Sequence, residues 1–307
     1  DGSGVYGTIS NNQSEIEDFQ IAVSDVIDLG DVVFNLDVTA SGNDGYDYQA
    51  DLEFKIEVTL FQDGFPYDIN AEVKGSQIVN DLDNDGDNEL VFGDKFGIVH
   101  VIKDGEEIED NNFPFDTEDE IWGSISSGDL DLDGYPDFVV SSKSGFLYVF
   151  DINGLKFSYN ADYYLIATPV IGNIDNDAEL EIVLGGYNSS SPLFAINHDG
   201  SDASGFPYDL SEKVKAGVAL ADMNGNGIDD IIFGADDDNL YVLLDDLTIA
   251  PGFPIDLGNN IQSEPSVLDI NGEKIILTGC KNDNFYAINY DDASIRFVIP
   301  TGDDVFT

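Results

Sequence analysis

Five copies of one phrase dominate residues 62–301 and restrict the folds open to this chain. Each copy runs from a few small residues into an acidic loop, then an apolar run, a Gly or Asn turn and a second apolar run. The acidic loops begin at Asp81, Asp129, Asn173, Asp222 and, in degenerate form, Asp269, 44 to 49 residues apart. A period of that length stacks copies of one supersecondary unit, because a single unit cannot bury its own apolar faces. The first apolar runs are ELVFG from Glu89, FVVSS from Phe138, EIVLGG from Glu181, DIIFG from Asp230 and KIILTG from Lys274. The second are GIVHVI, GFLYVF, SPLFAI, NLYVLL and NFYAIN. They are short, rich in Val, Ile, Phe and Tyr, and bounded by Gly, Asn and Asp, which is strand chemistry. No sustained 3.6-residue period competes with it.

The expectation is therefore an all-β chain whose repeats are four-stranded blades of a β-propeller, since the period matches one blade and is too long for a β-helix rung. Phe-Pro followed by an apolar or aromatic residue, at Phe65, Phe113, Phe206 and Phe253, marks the outermost strands. Gly75-Ser76, Gly123-Ser124, Ala167-Thr168 and Ala216-Gly217 put small residues where the innermost strands crowd a central channel. The blades are placed at about 71–116, 117–160, 161–208, 209–256 and 257–301, with the start of a further repeat at 302–307. Five visible repeats and that sixth beginning predict a ring of six or seven blades. Residues 1–61 carry no such loop. DFQIAVSDVI, DVVFNLDVTA and LEFKIEVTLF alternate apolar and polar residues and read as the C-terminal part of an immunoglobulin-like sandwich. The chain as a whole reads as a mature or excised segment, 1–61 followed by 62–307.

The acidic loops are candidate metal sites. At positions 1, 3, 5 and 9 the first carries Asp81, Asp83, Asp85 and Glu89, and the second Asp129, Asp131, Asp133 and Asp137. The third carries Asn173, Asp175, Asp177 and Glu181, and the fourth Asp222, Asn224, Asn226 and Asp230. Alternate oxygens on a tight loop converge on one point. The carbonyl at position 7 (Asp87, Tyr135, Glu179 or Ile228) can join them. Oxygen donors without His or Cys select Ca²⁺, up to four ions, over zinc or copper. An EF-hand is excluded, because position 12 is Phe92 or Val140, inside a strand.

The spacing resembles the DxDxDGxxD loop of FG-GAP and VCBS-type repeats, also found in the propellers of integrin alpha chains. The resemblance covers residues 62–301. It implies a calcium-binding propeller in a large exported protein, with the residues just named as ligands. Two departures stand out. Ala178 replaces the position-6 glycine of Gly86, Gly134 and Gly227, predicting left-handed backbone strain. The fifth loop, Asp269 to Glu273, is shortened and is expected to hold no ion. Carboxylate count ranks the affinities: loops one and two, then three, then four.

Charge supplies the remaining exclusions. With 62 Asp and Glu against 11 Lys and Arg, the formal charge is −51, which disfavours nucleic acid and anionic membranes. No apolar run is long enough to insert into a bilayer. Disorder is excluded by 42% hydrophobic and 11% aromatic residues. A single cysteine, Cys280, forbids an intrachain disulfide, and with only His100 and His198 beside it nucleophile–histidine chemistry lacks material. The chain is thus expected not to be an enzyme. His100 and Cys280 read as structural and His198 as exposed. Trp122, aligned with Lys74, Ile166, Lys215 and Gln262, is a candidate rim of a ligand site, against ordinary packing. The expectation is a calcium-binding, non-catalytic propeller of a secreted or cell-surface bacterial protein, serving adhesion to a protein or carbohydrate ligand. The alternatives are an accessory region of an exported peptidase or polysaccharide-degrading enzyme, and a self-associating subunit of an extracellular assembly.

Overall fold

The computed structural model describes residues 30–41, 47–58, 64–110, 112–187 and 193–305. The chain divides into two compact units, Asp1–Pro66 and Tyr67–Thr307. In the first, Gly30–Ser41 and Asp47–Val58 form an antiparallel hairpin registered from Gly30 opposite Val58 to Ser41 opposite Asp47. Two of the expected sandwich strands are therefore strands. The third, DFQIAVSDVI, lies outside the described residues.

The second unit is a succession of five antiparallel sheets in chain order. The first comprises Ile78–Asn80, Glu89–Gly93, Ile98–Lys103 and, on its outer side, Glu106–Glu107 and Phe115–Asp116. The second is Ser126–Gly128, Asp137–Ser141, Phe146–Asp151 and Gly154–Asn160, and the third is Val170–Gly172, Glu181–Gly185 and Leu193–Ile196. The fourth is Ala219–Ala221, Asp230–Gly234, Asn239–Leu243 and Ile255–Asp256, and the fifth is Ser266–Ile270, Glu273–Cys280, Asn284–Asn289 and Ile295–Pro300. No helix occurs among the described residues, hence none long and apolar enough to cross a membrane.

Why the second strand of each phrase is apolar throughout follows from the packing. Successive residues of a strand point to opposite faces, and here both faces are covered. Phe138 and Val140 pack toward Val91 and Val99 of the first sheet. Val139, between them, packs toward Ile182 and Leu184 of the third. Val183 of the third sheet meets Ile231 and Phe233 of the fourth, and Ile232 of the fourth meets Ile276 of the fifth. The core is thus four apolar layers, each between consecutive sheets. The innermost strands touch in order, first to second, second to third, third to fourth and fourth to fifth. This is propeller-type packing.

The joint between sheets has a repeated fastening. The apolar residue that leads into each innermost strand sits over a small residue ending the second strand of the sheet before it. Ile121, Leu165, Val214 and Ile261 are all buried. Their amides donate to the carbonyls of Asp94, Ser142, Gly186 and Ala235 at 3.1–3.3 Å. A Cβ on Gly93 would lie 2.6 Å from Ile121 Cγ2, and one on Gly234 2.1 Å from Ile261 Cγ2, so only glycine admits this approach. Val305 makes the same contact with the fifth sheet, its amide 3.4 Å from the Cys280 carbonyl. At the two ends of the array, Val79 and Phe96 of the first sheet and Leu268 and Ile270 of the fifth are exposed.

The Phe-Pro segments line the outer sides. Phe115 pairs Val99, Ile255 pairs Leu240, and Tyr208 bridges Leu193. Phe113 and Phe253 are buried, which is packing against the neighbouring sheet. The Phe-Pro bonds at Phe65, Phe113, Phe206 and Phe253 are cis.

Candidate metal centres

Each acidic loop joins the first strand of a sheet to the second, so all of them emerge at one end of the unit. Neighbouring loops are tied together there. Asn84 Nδ2 donates to the Gly134 carbonyl, the Leu180 amide to the Leu130 carbonyl and the Asp229 amide to the Asn173 carbonyl.

Within a loop the anchor is position 9. Glu89, Asp137, Glu181 and Asp230 begin the second strands and are almost fully buried. Each accepts the backbone amide of position 2: Leu82 at 2.8 Å, Leu130 at 3.1 Å, Ile174 at 2.9 Å and Met223 at 2.8 Å. The position-2 side chains are themselves buried between sheets. A buried amide and a buried carboxylate satisfy each other, and the apolar residue fixes the loop to the core. The recurring Leu, Leu, Ile and Met at position 2 is the sequence signal of this anchor, and the spacing of oxygen ligands alone does not carry it.

Position 1 holds the turn. In loops one, two and four its Oδ2 accepts the position-6 glycine amide at 2.9 Å, Asp81 from Gly86, Asp129 from Gly134 and Asp222 from Gly227. These glycines have φ of +99°, +92° and +92°. Position 4 is also left-handed there, at Asn84, Leu132 and Gly225. The third loop takes another path. Neither Asn176 nor Ala178 has positive φ, so the strain expected at Ala178 is absent: the backbone avoids the region that a Cβ penalises. Asn173 then turns its Nδ2 to the Asp177 carbonyl at 2.8 Å.

Ligand oxygens of Asp81, Asp83 and Asp85 lie within 4.8 Å of one another, as do those of Asp129, Asp131 and Asp133, and those of Asp175, Asp177 and Glu181. The fourth loop has two carboxylates at ligand positions, Asp222 and Asp230. Its Asn224 and Asn226 direct their amide groups to Asp245 Oδ1, at 3.0 and 2.9 Å. Four buried oxygens in the first three loops have no hydrogen-bond partner: Glu89 Oε1, Asp129 Oδ1, Asp131 Oδ1 and Asn173 Oδ1. Buried oxygens without donors are costly, and a hard cation is the partner that such a set fits. Of the position-7 residues, Asp87, Tyr135 and Ile228 donate their amides to the position-5 side chain, at 2.8–2.9 Å. Glu179 is half-buried beside Ala178.

Two lysines not singled out in the sequence enter the loops. Lys103 Nζ lies 2.6 Å from Asp83 and from Asp85 and 3.1 Å from Glu89 Oε1, close to that oxygen but without hydrogen-bond geometry. Lys156 Nζ lies 2.8 Å from both Asp131 and Asp137. The hydrogen bond from Lys103 holds the Asp85 carboxyl below the usual range, and that from Lys156 does the same for Asp131. Burial pushes Asp137 up despite Lys156. Burial also pushes Glu181 up to about 7, against the Ile174 amide and with Asp175, Asp177 and Glu179 adding to the rise.

At the opposite end, the aligned residues Lys74, Trp122, Ile166, Lys215 and Gln262 each lie four residues before an innermost strand. Lys74 and Lys143 lie over the Trp122 ring, 3.8 and 4.5 Å from its centre, and the indole N–H donates to Glu120. Asp236 joins Lys215 and Gln262, each at 2.6 Å. A cavity of about 600 Å³ nearby is lined by Tyr163, Tyr164, Tyr187, Asn160 and Lys213. His100 is buried, stacked on Phe92 and bonded to Glu107, and Cys280 is buried with its thiol toward the Asn259 carbonyl at 3.1 Å.

No known family and no curated protein matches the sequence. Similarity appears among solved structures. BBS1N in complex with ARL6DN matches with a TM-score of 0.52 at 14% identity, over 75% of this chain and 69% of that one. The quinohemoprotein alcohol dehydrogenase of Comamonas testosteroni matches with a TM-score of 0.52 at 12% identity, over 75% of this chain. The enzyme ADHIIG of Pseudomonas putida HK5 gives 0.52 at 14% over 76%. The chain spans about two fifths of the dehydrogenases, 43% and 42% of their lengths. The chain shares a propeller-type fold with these proteins. This corrects one expectation. The absence of catalysis was argued from scarce His and Cys, yet the fold is that of quinohemoprotein alcohol dehydrogenases, which are enzymes. Poverty in nucleophile–histidine pairs does not exclude chemistry of another kind on this scaffold.

Proposed function

We propose that the chain is a calcium-binding propeller region of an exported or cell-surface protein, of the FG-GAP and VCBS type, serving attachment to a protein or carbohydrate ligand. The carrying observation is the convergence of three carboxylates within 4.8 Å in each of three successive loops, with buried oxygens left without donors in the same loops. Asp81, Asp83, Asp85 and Glu89, then Asp129, Asp131, Asp133 and Asp137, then Asn173, Asp175, Asp177 and Glu181 would hold the ions. The fourth loop, with two carboxylates at ligand positions, would bind most weakly. A bound ion cancels repulsion that otherwise opens the turn between the first two strands of a sheet, so binding free energy adds to folding free energy.

The Val305 fastening on the fifth sheet supports a ring with at least one further blade, six or seven in all, and the hairpin of residues 30–58 supports an immunoglobulin-like module before it. Ligand contact is assigned to the end opposite the loops, where Trp122 and the tyrosine-lined cavity stand. The high negative charge suits a salty, calcium-containing exterior in which screening is short-ranged. Titration calorimetry with Ca²⁺ tests the reading. Saturable binding of two or more ions supports it, and no heat at millimolar calcium overturns it.

A further inference from the structure

The three carboxylate clusters differ in one respect that the ligand pattern does not explain. In the third loop the position-9 carboxylate, Glu181, belongs to the cluster with Asp175 and Asp177. In the first and second loops the clusters consist of positions 1, 3 and 5 only, and the position-9 carboxylate stands apart. In both of those loops a lysine ammonium lies between. Lys103 reaches Asp83 and Asp85 on one side and Glu89 on the other. Lys156 reaches Asp131 on one side and Asp137 on the other. No ion pair to Asp175, Asp177 or Glu181 occurs among the described residues, and the charged groups acting on Glu181 are the acids Asp175, Asp177 and Glu179.

The two lysines come from different places in their sheets. Lys103 ends the third strand of the first sheet, while Lys156 lies in the fourth strand of the second. The same charge therefore reaches the same site by two routes, and neither is a by-product of the repeat. With its lysine counted, ligand positions 1, 3, 5 and 9 of each of the first two loops fall from four negative charges to three, the number at those positions in the third.

We propose that Lys103 and Lys156 are built-in counter-cations of the first two loops, which a divalent ion must displace to bring position 9 into its coordination sphere. This rests on the calcium reading above and deepens it. The lysines hold loops one and two closed without metal, and they erase the affinity advantage that four carboxylates would otherwise confer. The third loop has no such substitute and depends on the ion. The affinity order becomes three loops of similar strength, in place of one and two ahead of three.

The test follows backbone amide signals of the full ¹⁵N-labelled chain during calcium titration, with Gly86, Gly134 and Asp177 reporting loops one, two and three. Lys103→Met, with Lys103→Gln as the more soluble second variant, should tighten binding at Gly86 about tenfold, as loss of a cation beside a site allows, and leave Gly134 and Asp177 unmoved. Lys156→Met should do the same at Gly134 alone. Both should lower the melting temperature without calcium and widen the rise that calcium gives. Equal or weaker binding at the altered loop, with wild-type sites still titrating, overturns the counter-cation role and leaves calcium binding standing. No titration in wild type or any variant overturns both.

Discussion

The second and third acidic loops are neighbours, tied by the bond from the Leu180 amide to the Leu130 carbonyl, yet they solve one electrostatic problem in opposite ways. Loop two follows the full Asp-x-Asp-x-Asp-Gly pattern, takes left-handed turns at Leu132 and Gly134 and neutralises its buried Asp137 with Lys156. Loop three lacks the glycine, keeps right-handed or extended backbone at Asn176 and Ala178, and leaves its buried Glu181 among acids, so that its carboxyl holds a proton up to about pH 7. The ligand pattern fixes which oxygens can converge. What surrounds the oxygens decides how much the loop needs an ion.

The largest effect should come from removing the ions altogether. A site occupied at a hundredfold excess over its Kd adds roughly 2.7 kcal/mol, and a unit of this size shifts by roughly 2–4 °C per kcal/mol. Chelation should therefore lower the melting temperature by about 10 °C or more, measured by calorimetry with EDTA. Hydrogen exchange in EDTA should then show loop three and its two strands opening before loops one and two. Equal loss of protection in all three would erase the contrast.

Acidity sharpens it further. A carboxyl whose folded pKa is raised favours the folded state when protonated, so Glu181 contributes stability that is complete below its unfolded value near 4.5 and lost as pH rises through about 7. Metal-free protein should lose up to about 3 kcal/mol over that interval, followed by urea melts at stepped pH. Glu181→Gln should flatten the loss and stabilise the metal-free protein at pH 8. Asp137→Asn should act in the same direction but less, because burial raises the Asp137 carboxyl too, while the change also takes a partner from Lys156.

The smallest expected effects concern the turn itself. Gly86→Ala, in left-handed backbone with open space around it, should cost about 1–2 kcal/mol from strain alone. Ala178→Gly should cost less than about 1 kcal/mol, chiefly through the unfolded chain. Equal costs in denaturant melts would mean that loops one and three share a backbone path.

Much of this was legible in the sequence, because strand and loop patterns are local and the repeat multiplied them. The period and the apolar runs placed the strands, and Asp81, Asp129 and Asp175 led to the clusters. What escaped reading was set by contacts across distance. Lys103 and Lys156 lie 18–25 residues from the carboxylates they bridge except for the 14 that separate Lys103 from Glu89, on the third and fourth strands of their sheets, and no local pattern says that these side chains reach the loops. The strain assigned to Ala178 assumed a path common to all loops, whereas replacement of glycine by alanine changed the path. The judgement on catalysis failed for a different reason: scarce nucleophiles limit one chemistry, and a scaffold hosts many.

The most direct test of the account is a crystal structure of the full chain grown with millimolar calcium, with anomalous difference density calculated at the acidic loops. The account predicts peaks coordinated by Asp81, Asp83, Asp85 and Glu89, by Asp129, Asp131, Asp133 and Asp137, and by Asp175, Asp177 and Glu181, with oxygen distances of roughly 2.3–2.6 Å. Loops without anomalous density, their carboxylates satisfied by lysine and water alone, would contradict it.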